Sequence, residues 1–499
     1  MLLPEAKTQL SKSRYLSGCQ CPLRLWYDCY ASHLADPPDL VQQAIFATGN
    51  AVGALARDRY PDGYLVDYGP RQPKEALAKT AELMADSAVG VIFEGAFFYK
   101  NVLVRVDVLK REPAGWKLIE VKSGTKVKGG VHDRDVAVQL WVLRGLNINV
   151  VSAGVLTLNS DYVYDGVSLD LDHLFAFHDL SELATALQPD VDHEIQVLQA
   201  MLRAESAPGN EPGEQCFKPY GCPYYAYCTR VTVFPDYPVG ELPRLHKNRR
   251  QALEAAGVTT IPEVPVDFPL TERQTIVRDT VVNGVEYISD ALFHALDSIE
   301  YPIYYLDFET SMPSIPRYAG TKPYESIPFQ FSVHVEKANG SLKHVEFLHE
   351  DQSDPRRPLA HALIDALEQE GAICVYTNYE EKVIRRLVSA LPELADPLNG
   401  LLDRLWDIKE VIANHYYHPD FHGSYSIKKV LPALVPELGY DSLAVQNGLE
   451  AAAVYEMALN SENPDERKKI FADLKAYCGL DTMAMVRLRG ALKVKNPQP

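Results

Sequence analysis

Apolar runs that end abruptly on acidic residues set the pattern of this chain. Tyr304-Tyr305-Leu306 runs into Asp307-Phe308-Glu309, predicting a strand whose alternation turns residues 307 and 309 to one face. A second apolar strand is predicted over 372–376, and Val375-Tyr-Thr-Asn-Tyr-Glu380 carries it into a helix start. Upstream, short strands with charges at their ends are predicted over 91–94, 102–109 and 116–122, the last two joined by a hairpin at Glu112-Pro-Ala-Gly115. Residues 135–143 predict a helix with Asp135 and Gln139 one turn apart. Residues 245–296 read as helical around a small turn at 255–262. Gly423-Ser-Tyr-Ser-Ile-Lys428-Lys429 begins a capped helix. Phe234-Pro-Asp-Tyr-Pro238 marks a domain edge.

Composition narrows the class. A chain of 499 residues exceeds what one core normally supports, so two or three domains are expected. Hydrophobic content of 46% and charged content of 23% are those of a soluble globular protein. The sequence holds no signal peptide and no apolar stretch of bilayer length, which argues for the cytoplasm and against a membrane partner. A net charge of −18 argues against attraction of the whole protein to nucleic acid but leaves room for a local basic channel. Lys122, Lys126, Lys128, Arg134 and Arg144 cluster in one segment that reads as a phosphate contact or as a solvated face.

Asp307 and Glu309 together present two carboxylates to one site. Hard divalent cations prefer oxygen ligands, and two ions bridged by shared carboxylates can activate a water and stabilise the leaving oxygen of a phosphodiester. Far downstream, Tyr477-Cys-Gly-Leu-Asp481 offers a third acid, Asp481, with Tyr477 to orient the water. Glu380 is the candidate fourth acid; Glu381 and, more weakly, Asp407 in Leu405-Trp-Asp407-Ile are alternatives. Each residue alone also fits a salt-bridged strand acid or an ordinary helix tyrosine, and only the ordered set carries the reading. Over residues 303–488 these motifs resemble the DEDD exonucleases of the DnaQ-like, ribonuclease H-like superfamily. The family motifs are Asp-x-Glu, Phe-Asp and Tyr-x-x-x-Asp. Tyr379-Glu380 stands where the family usually has Phe-Asp, and the closing motif carries tyrosine in place of the commoner histidine. The resemblance implies a 3′–5′ exonuclease using Mg²⁺ or Mn²⁺, with Lys428 lining the nucleic-acid cleft or simply standing at the surface. His415, His418 and His422 have a spacing that suits a metal, but the carboxylates already account for the chemistry, so a packed or solvent-facing role is expected.

The upstream strands carry a second set. Asp107, then Glu120-Val-Lys122 after twelve residues, puts Glu120 and Lys122 on one strand face and Asp107 on the antiparallel neighbour. Two carboxylates bind a divalent metal, and the lysine orients or deprotonates a water while offsetting charge on the phosphate. Glu94 is a further acid from the preceding strand. With the helix bearing Gln139, this arrangement resembles the PD-(D/E)XK superfamily, in particular RecB-like nucleases, where a glutamine helix follows the Glu-x-Lys strand and contacts the active site. Two elements depart from the family: Leu143, with Trp141 nearby, stands where an aromatic is common, and Gly49-Asn-Ala-Val-Gly53 lacks the histidine of a Gly-x-x-x-His helix.

Of the eight cysteines, Cys216, Cys222 and Cys228 are evenly spaced, and Cys21 lies in an amino-terminal segment, Cys-Pro followed by basic and aromatic residues. This resembles iron-sulfur RecB-like nucleases, including CRISPR-associated adaptation exonucleases, in which one cysteine before the core and three after it hold a 4Fe-4S cluster. Such a cluster ties chain ends together. Zinc suits the same thiolates and is the alternative; Cys19 and Cys29 are alternatives to Cys21. Cys374 and Cys478 read as packed thiols.

The expected protein is therefore an α/β multidomain chain: a PD-(D/E)XK restriction-endonuclease-like core with an iron-sulfur staple over 1–235, a helical linker over 236–300 whose turn resembles half of a helix-hairpin-helix, and a ribonuclease H-like α/β domain over 301–499. The two-nuclease order also resembles a bacterial family in which a RecB-like iron-sulfur nuclease is fused to a carboxyl-terminal domain of unknown function. The implied activity is metal-dependent hydrolysis of DNA, or of RNA, at two centres, in DNA processing, repair or antiviral defence. The rival expectation is a nucleic-acid-binding or assembly component of such a complex, with protein partners and one centre decayed to a scaffold.

Overall fold

A computed structural model of the chain describes residues 8–495; residues 1–7 and 496–499 of the expected domains lie outside the described residues. The chain is a mixed α/β protein of two compact units. One comprises residues up to 232 together with 313–325, the other 233–312 together with 326 onward.

The first unit is built on a seven-stranded mixed sheet: β1 (Leu10–Ser11), β2 (Tyr64–Leu65), β3 (Val91–Tyr99), β4 (Val102–Glu112), β5 (Gly115–Lys122), β6 (Val150–Leu158) and β7 (Phe175–Asp179). The order is β2-β3-β4-β5-β6-β7, with β1 alongside β4. Strands β3, β4 and β5 form an antiparallel meander, and β6 returns parallel to β5. The hairpin between β4 and β5 needs Gly115, because a Cβ there would lie 2.4 Å from the Asn149 carbonyl. Alternation in β4 buries Val102, Val104 and Val106 and leaves Arg105 and Asp107 on the other face. Helix α1 (Lys12–Gln20) is capped by Ser11, whose hydroxyl accepts from the Arg14 amide, and runs through Cys21 into α2 (Pro22–Tyr30), which has proline at its first position. The crossover from β5 to β6 is α3 (His132–Gly145). It is buried on nearly every side, packing Val136, Leu140 and Leu143 into one cluster with Val104, Val106, Leu118 and Val155. Each such side chain contributes about 1.5–3 kcal/mol. That packing fixes Asp135 and Gln139 against β5. Helix α4 (Gln188–Leu202) closes the same core through Val191, Ile195 and Leu198.

The second unit is centred on a five-stranded sheet in the order β11-β10-β9-β12-β13. Its strands are β9 (Ile303–Ser311), β10 (Ile327–Glu336), β11 (Leu342–Leu348), β12 (Ala372–Val375) and β13 (Leu405–Asp407); β8 (Tyr287–Ile288) and β14 (Tyr416–Tyr417) form a separate antiparallel pair. Strands β9, β10 and β11 are antiparallel, whereas β12 runs parallel to β9 and β13 parallel to β12. Both faces of β9 are covered, which explains its unbroken apolar run. Tyr304, Leu306 and Phe308 join α8 (Arg356–Leu367) and α9 (Tyr379–Ala390), while Ile303 and Tyr305 enter a cluster with Tyr455 of α11 (Gly448–Asn460) and Leu474, Tyr477 and Leu488 of α12 (Pro464–Val494). Strand alternation therefore delivers Asp307 and Glu309 to the α11 and α12 side. Polar bonds fix α12 in place: Gln330 Nε2 donates to the Leu474 carbonyl at 3.0 Å, and Thr482 bonds to Ser332 and His334 at 2.8 Å each.

Residues 236–300, read from sequence as a helical linker, are broken into α5 (Lys247–Ala255), α6 (Glu272–Asn283) and α7 (Leu292–Asp297), with left-handed Gly257 and Gly284 at the breaks. Leu253, Ile261, Val277, Leu292 and Leu296 share one core with Ile303 and Phe329, so this stretch is part of the second unit. In the turn at 255–262, the Thr259 and Thr260 amides bond Glu263 Oε2 at 2.8 and 2.9 Å. The amides that a phosphate would use are thus already satisfied by the chain itself.

Candidate metal centres

In the second unit, four carboxylates from three elements meet. Asp307 and Glu309 come from β9, Glu380 from the first turn of α9, and Asp481 from mid-α12. Glu309 is 5% exposed, Glu380 3% and Asp481 8%. Burial pushes Asp307 well above the ordinary carboxylate range, and the charges of Asp481, Glu309 and Glu380 push it further. Glu309 is raised likewise by burial and by Asp481, with Lys428 pulling against. Glu380 rises to about 8 through burial, and Asp481 to about 6 through burial opposed by hydrogen bonds from Tyr440 and Tyr477. Acids that resist ionising side by side could hold a multivalent cation, whose charge would offset theirs. Tyr440 Oη donates to Asp481 Oδ1 at 2.5 Å, and the Cys478 thiol lies 3.6 Å from Asp307 Oδ2. One donor atom each of Asp307, Glu309 and Cys478 lie within 4.8 Å of one another. Cys478, read from sequence as a packed thiol, is thus also a soft donor at the site, placed there because it lies one turn from Asp481 on α12. Glu381 pairs with Arg385 at 2.8 Å, away from the acids; Asp407 caps the following helix by accepting from the Glu410 amide at 3.2 Å, yet its charge still acts on Glu380. Lys428, on α10 (Ile427–Leu434), donates to the Gln446 carbonyl, so it reaches the acids through its field.

The first unit gathers its own set. Glu120, 2% exposed, accepts from Lys122 at 2.7 Å and from Gln139 Nε2 at 2.7 Å. Lys122 also reaches Asp135 Oδ2 at 2.5 Å. Lys12, from the start of α1, donates to both Glu120 oxygens at 2.6 and 2.7 Å and stands 3.5 Å from Asp135. Desolvation alone would raise Glu120, but Lys12 and Lys122 outweigh it and hold the carboxyl well below its usual range. Asp107 accepts from the Val121 amide at 2.7 Å, and burial and the Glu120 charge push it up to about 7. Glu94 is turned instead to Arg105, 3.5 Å away, and stands at φ 54 where the ladder skips its pairing with Asp107. Lys12 was missed from sequence because its segment was read for cysteines, and Asp135 was noted only for its helical spacing. The remaining basic residues scatter: Arg134 pairs with Glu194, Arg144 bonds Thr185 at 3.0 Å, and Lys128 lies over the Tyr220 ring.

Cys21, Cys216, Cys222 and Cys228 line one small cavity together with Arg24, Tyr27 and Tyr224. All four are free thiols. Burial raises Cys222 and Cys228, and the neighbouring cysteines raise both further. Cys19 faces Glu194 at 3.6 Å, Cys29 packs on the core around α4, and Cys374 is fully buried in β12. His415, His418 and His422 take separate partners, Ser289, Asp420 and Glu241.

Residues 304–426 match a family described as a domain of unknown function (DUF2779). That span includes Asp307, Glu309 and Glu380 but stops before Tyr477 and Asp481. The chain is also similar to an uncharacterized protein, UU173, of Ureaplasma parvum serovar 3, at 26% identity over 219 residues, 38% of this chain and 31% of that protein. The chain therefore spans about a third of that relative's length. No solved structure matches. Among the described residues, no helix is long and apolar enough to cross a membrane.

Proposed function

We propose that the chain is a metal-dependent nuclease acting on DNA or RNA, with two centres. One is a 3′–5′ exonuclease site at Asp307, Glu309, Glu380 and Asp481; the other is a RecB-like site at Asp107, Glu120, Lys122 and Gln139. The observation that carries the proposal is the meeting of four acids from distant stretches of chain, three of them buried and Asp307 half-buried, each raised by desolvation, beside β9. The strand order, three antiparallel strands followed by two parallel ones, supports a ribonuclease H-like fold for this unit. The antiparallel meander with its glutamine helix supports a PD-(D/E)XK fold for the other.

Mg²⁺ or Mn²⁺ held by these carboxylates would supply Lewis-acid polarisation of a phosphodiester and a nucleophile at neutral pH. The residues do the rest. Tyr440 and Tyr477 orient Asp481 by donating to it, and Lys428 lends positive potential. In the other centre Lys122 spans Glu120 and Asp135, where its charge can offset that of a phosphate. The four free thiols fit a 4Fe-4S cluster in number and softness; zinc uses the same donors.

A second reading has one observation in its favour: Glu120 is already paired with two lysines, and Glu94 with Arg105, as in a structural ion network. Alanine at Asp307 and at Glu120, made separately and assayed on labelled single- and double-stranded DNA and RNA with Mg²⁺ or Mn²⁺, decides between them. Each change is expected to lower one cleavage activity by at least about 100-fold. Loss with Asp307→Ala alone makes the first centre structural, and loss with neither ends the nuclease reading.

A further inference from the structure

The Glu120 carboxylate is saturated. A carboxylate offers about four lone-pair sites. Glu120 fills four, with two bonds from Lys12 at 2.6 and 2.7 Å, one from Lys122 at 2.7 Å and one from Gln139 at 2.7 Å. Anything else that binds Glu120 must first displace a donor. The donors are not equally free to leave. Lys122 is two residues away on the same strand and is also tied to Asp135 at 2.5 Å. Gln139 is buried on α3 and bonded to the Asp135 carbonyl at 3.1 Å. Lys12 alone is carried by neither β5 nor α3 and reaches in from the start of α1, a separate element.

We infer that Lys12 is a built-in counter-ion of the first centre, occupying both Glu120 oxygens and released when a divalent cation takes its place. The inference rests on the metal reading of this centre. Three carboxylates, Asp107, Glu120 and Asp135, face two ammonium groups, so removing Lys12 leaves an excess of negative charge that a divalent ion can neutralise. Lys12 thereby sets the threshold of metal concentration at which this centre loads. The helix that carries it ends at Cys21, one of the four cavity thiols, so its place is set by the same arm that lines the thiol cavity.

The test is Mn²⁺ binding, read as loss of the free-ion electron paramagnetic resonance signal, in a D307N/E309Q background that silences the other centre. Relative to that background, Lys12→Met is expected to bind Mn²⁺ about tenfold more tightly or better, and Lys12→Arg, which keeps the charge, is expected to stay close to it. Metal-free Lys12→Met should melt lower than its parent, and Mn²⁺ should raise its melting temperature by more than it raises the parent's. Lys12→Gln, which retains a donor for Glu120, covers the case in which Lys12→Met does not fold. Unchanged or weaker Mn²⁺ binding in these neutral variants, with binding abolished by Glu120→Gln, overturns the role of Lys12 and leaves the metal reading standing. Binding that is indifferent to Glu120→Gln as well overturns both.

Discussion

Glu380 shows at the scale of one residue what the second centre demands. It is held in the first turn of α9, 3% exposed, with Thr377 Oγ1 at 3.5 Å and the charge of Asp407 close by. Its acidity is shifted from the ordinary 4.5 to about 8, chiefly by burial. The folded protein therefore keeps a proton that the unfolded chain releases, and the stability this gives is present at low pH and lost as pH rises from about 4.5 through about 8. Metal-free Glu380→Gln should lack that loss and melt at least about 2 °C above the wild type at pH 8, with the gap closing at pH 5. Melting curves across pH in a chelator check this; parallel curves for the two proteins would show that Glu380 is not buried among acids. The sequence named Glu380 because an apolar strand ran into a helix start there. It left Glu381 as the neighbouring alternative, since only the helix phase, which turns residue 381 to Arg385, separates them.

At the scale of elements, legibility followed periodicity. Strand β9 was readable because both of its faces are covered and its acids alternate, and the meander with the glutamine helix was readable for the same reason. The break-up of 245–296 was not, because its helices are short and amphipathic around loops whose course is set by a core assembled from far away. Nor was Lys12, a single cation in a segment whose visible feature was its cysteines. Helix α1 joins that lysine to the thiol cavity in nine residues, about 13.5 Å at 1.5 Å per residue. Loss of the Cys21 thiol should therefore be felt at Glu120. In the D307N/E309Q background, Cys21→Ser should lose the brown iron-sulfur colour of an anaerobic preparation and shift Mn²⁺ binding at the first centre toward tighter values, as Lys12→Met does. A colourless parent protein with stoichiometric zinc would assign the thiols to zinc instead, and unaltered Mn²⁺ binding would uncouple α1 from the centre.

At the scale of the whole molecule, each unit carries its own acidic centre, and the net charge of −18 sits with acids gathered inside the fold as well as on its surface. The first unit's long segment ends beside the proline-rich edge at 234–238, whereas no local pattern marks 313–325, a short stretch that packs on distant strands of that unit. The proposed activity depends on clustered carboxylates capturing divalent ions. Anomalous diffraction from crystals soaked in Mn²⁺ measures that directly. A peak bounded by Asp307, Glu309 and Asp481 is the predicted result, with a second beside Asp107 and Glu120 once Lys12 is removed. Crystals that take up Mn²⁺ elsewhere and show no density among Asp307, Glu309 and Asp481 would contradict it.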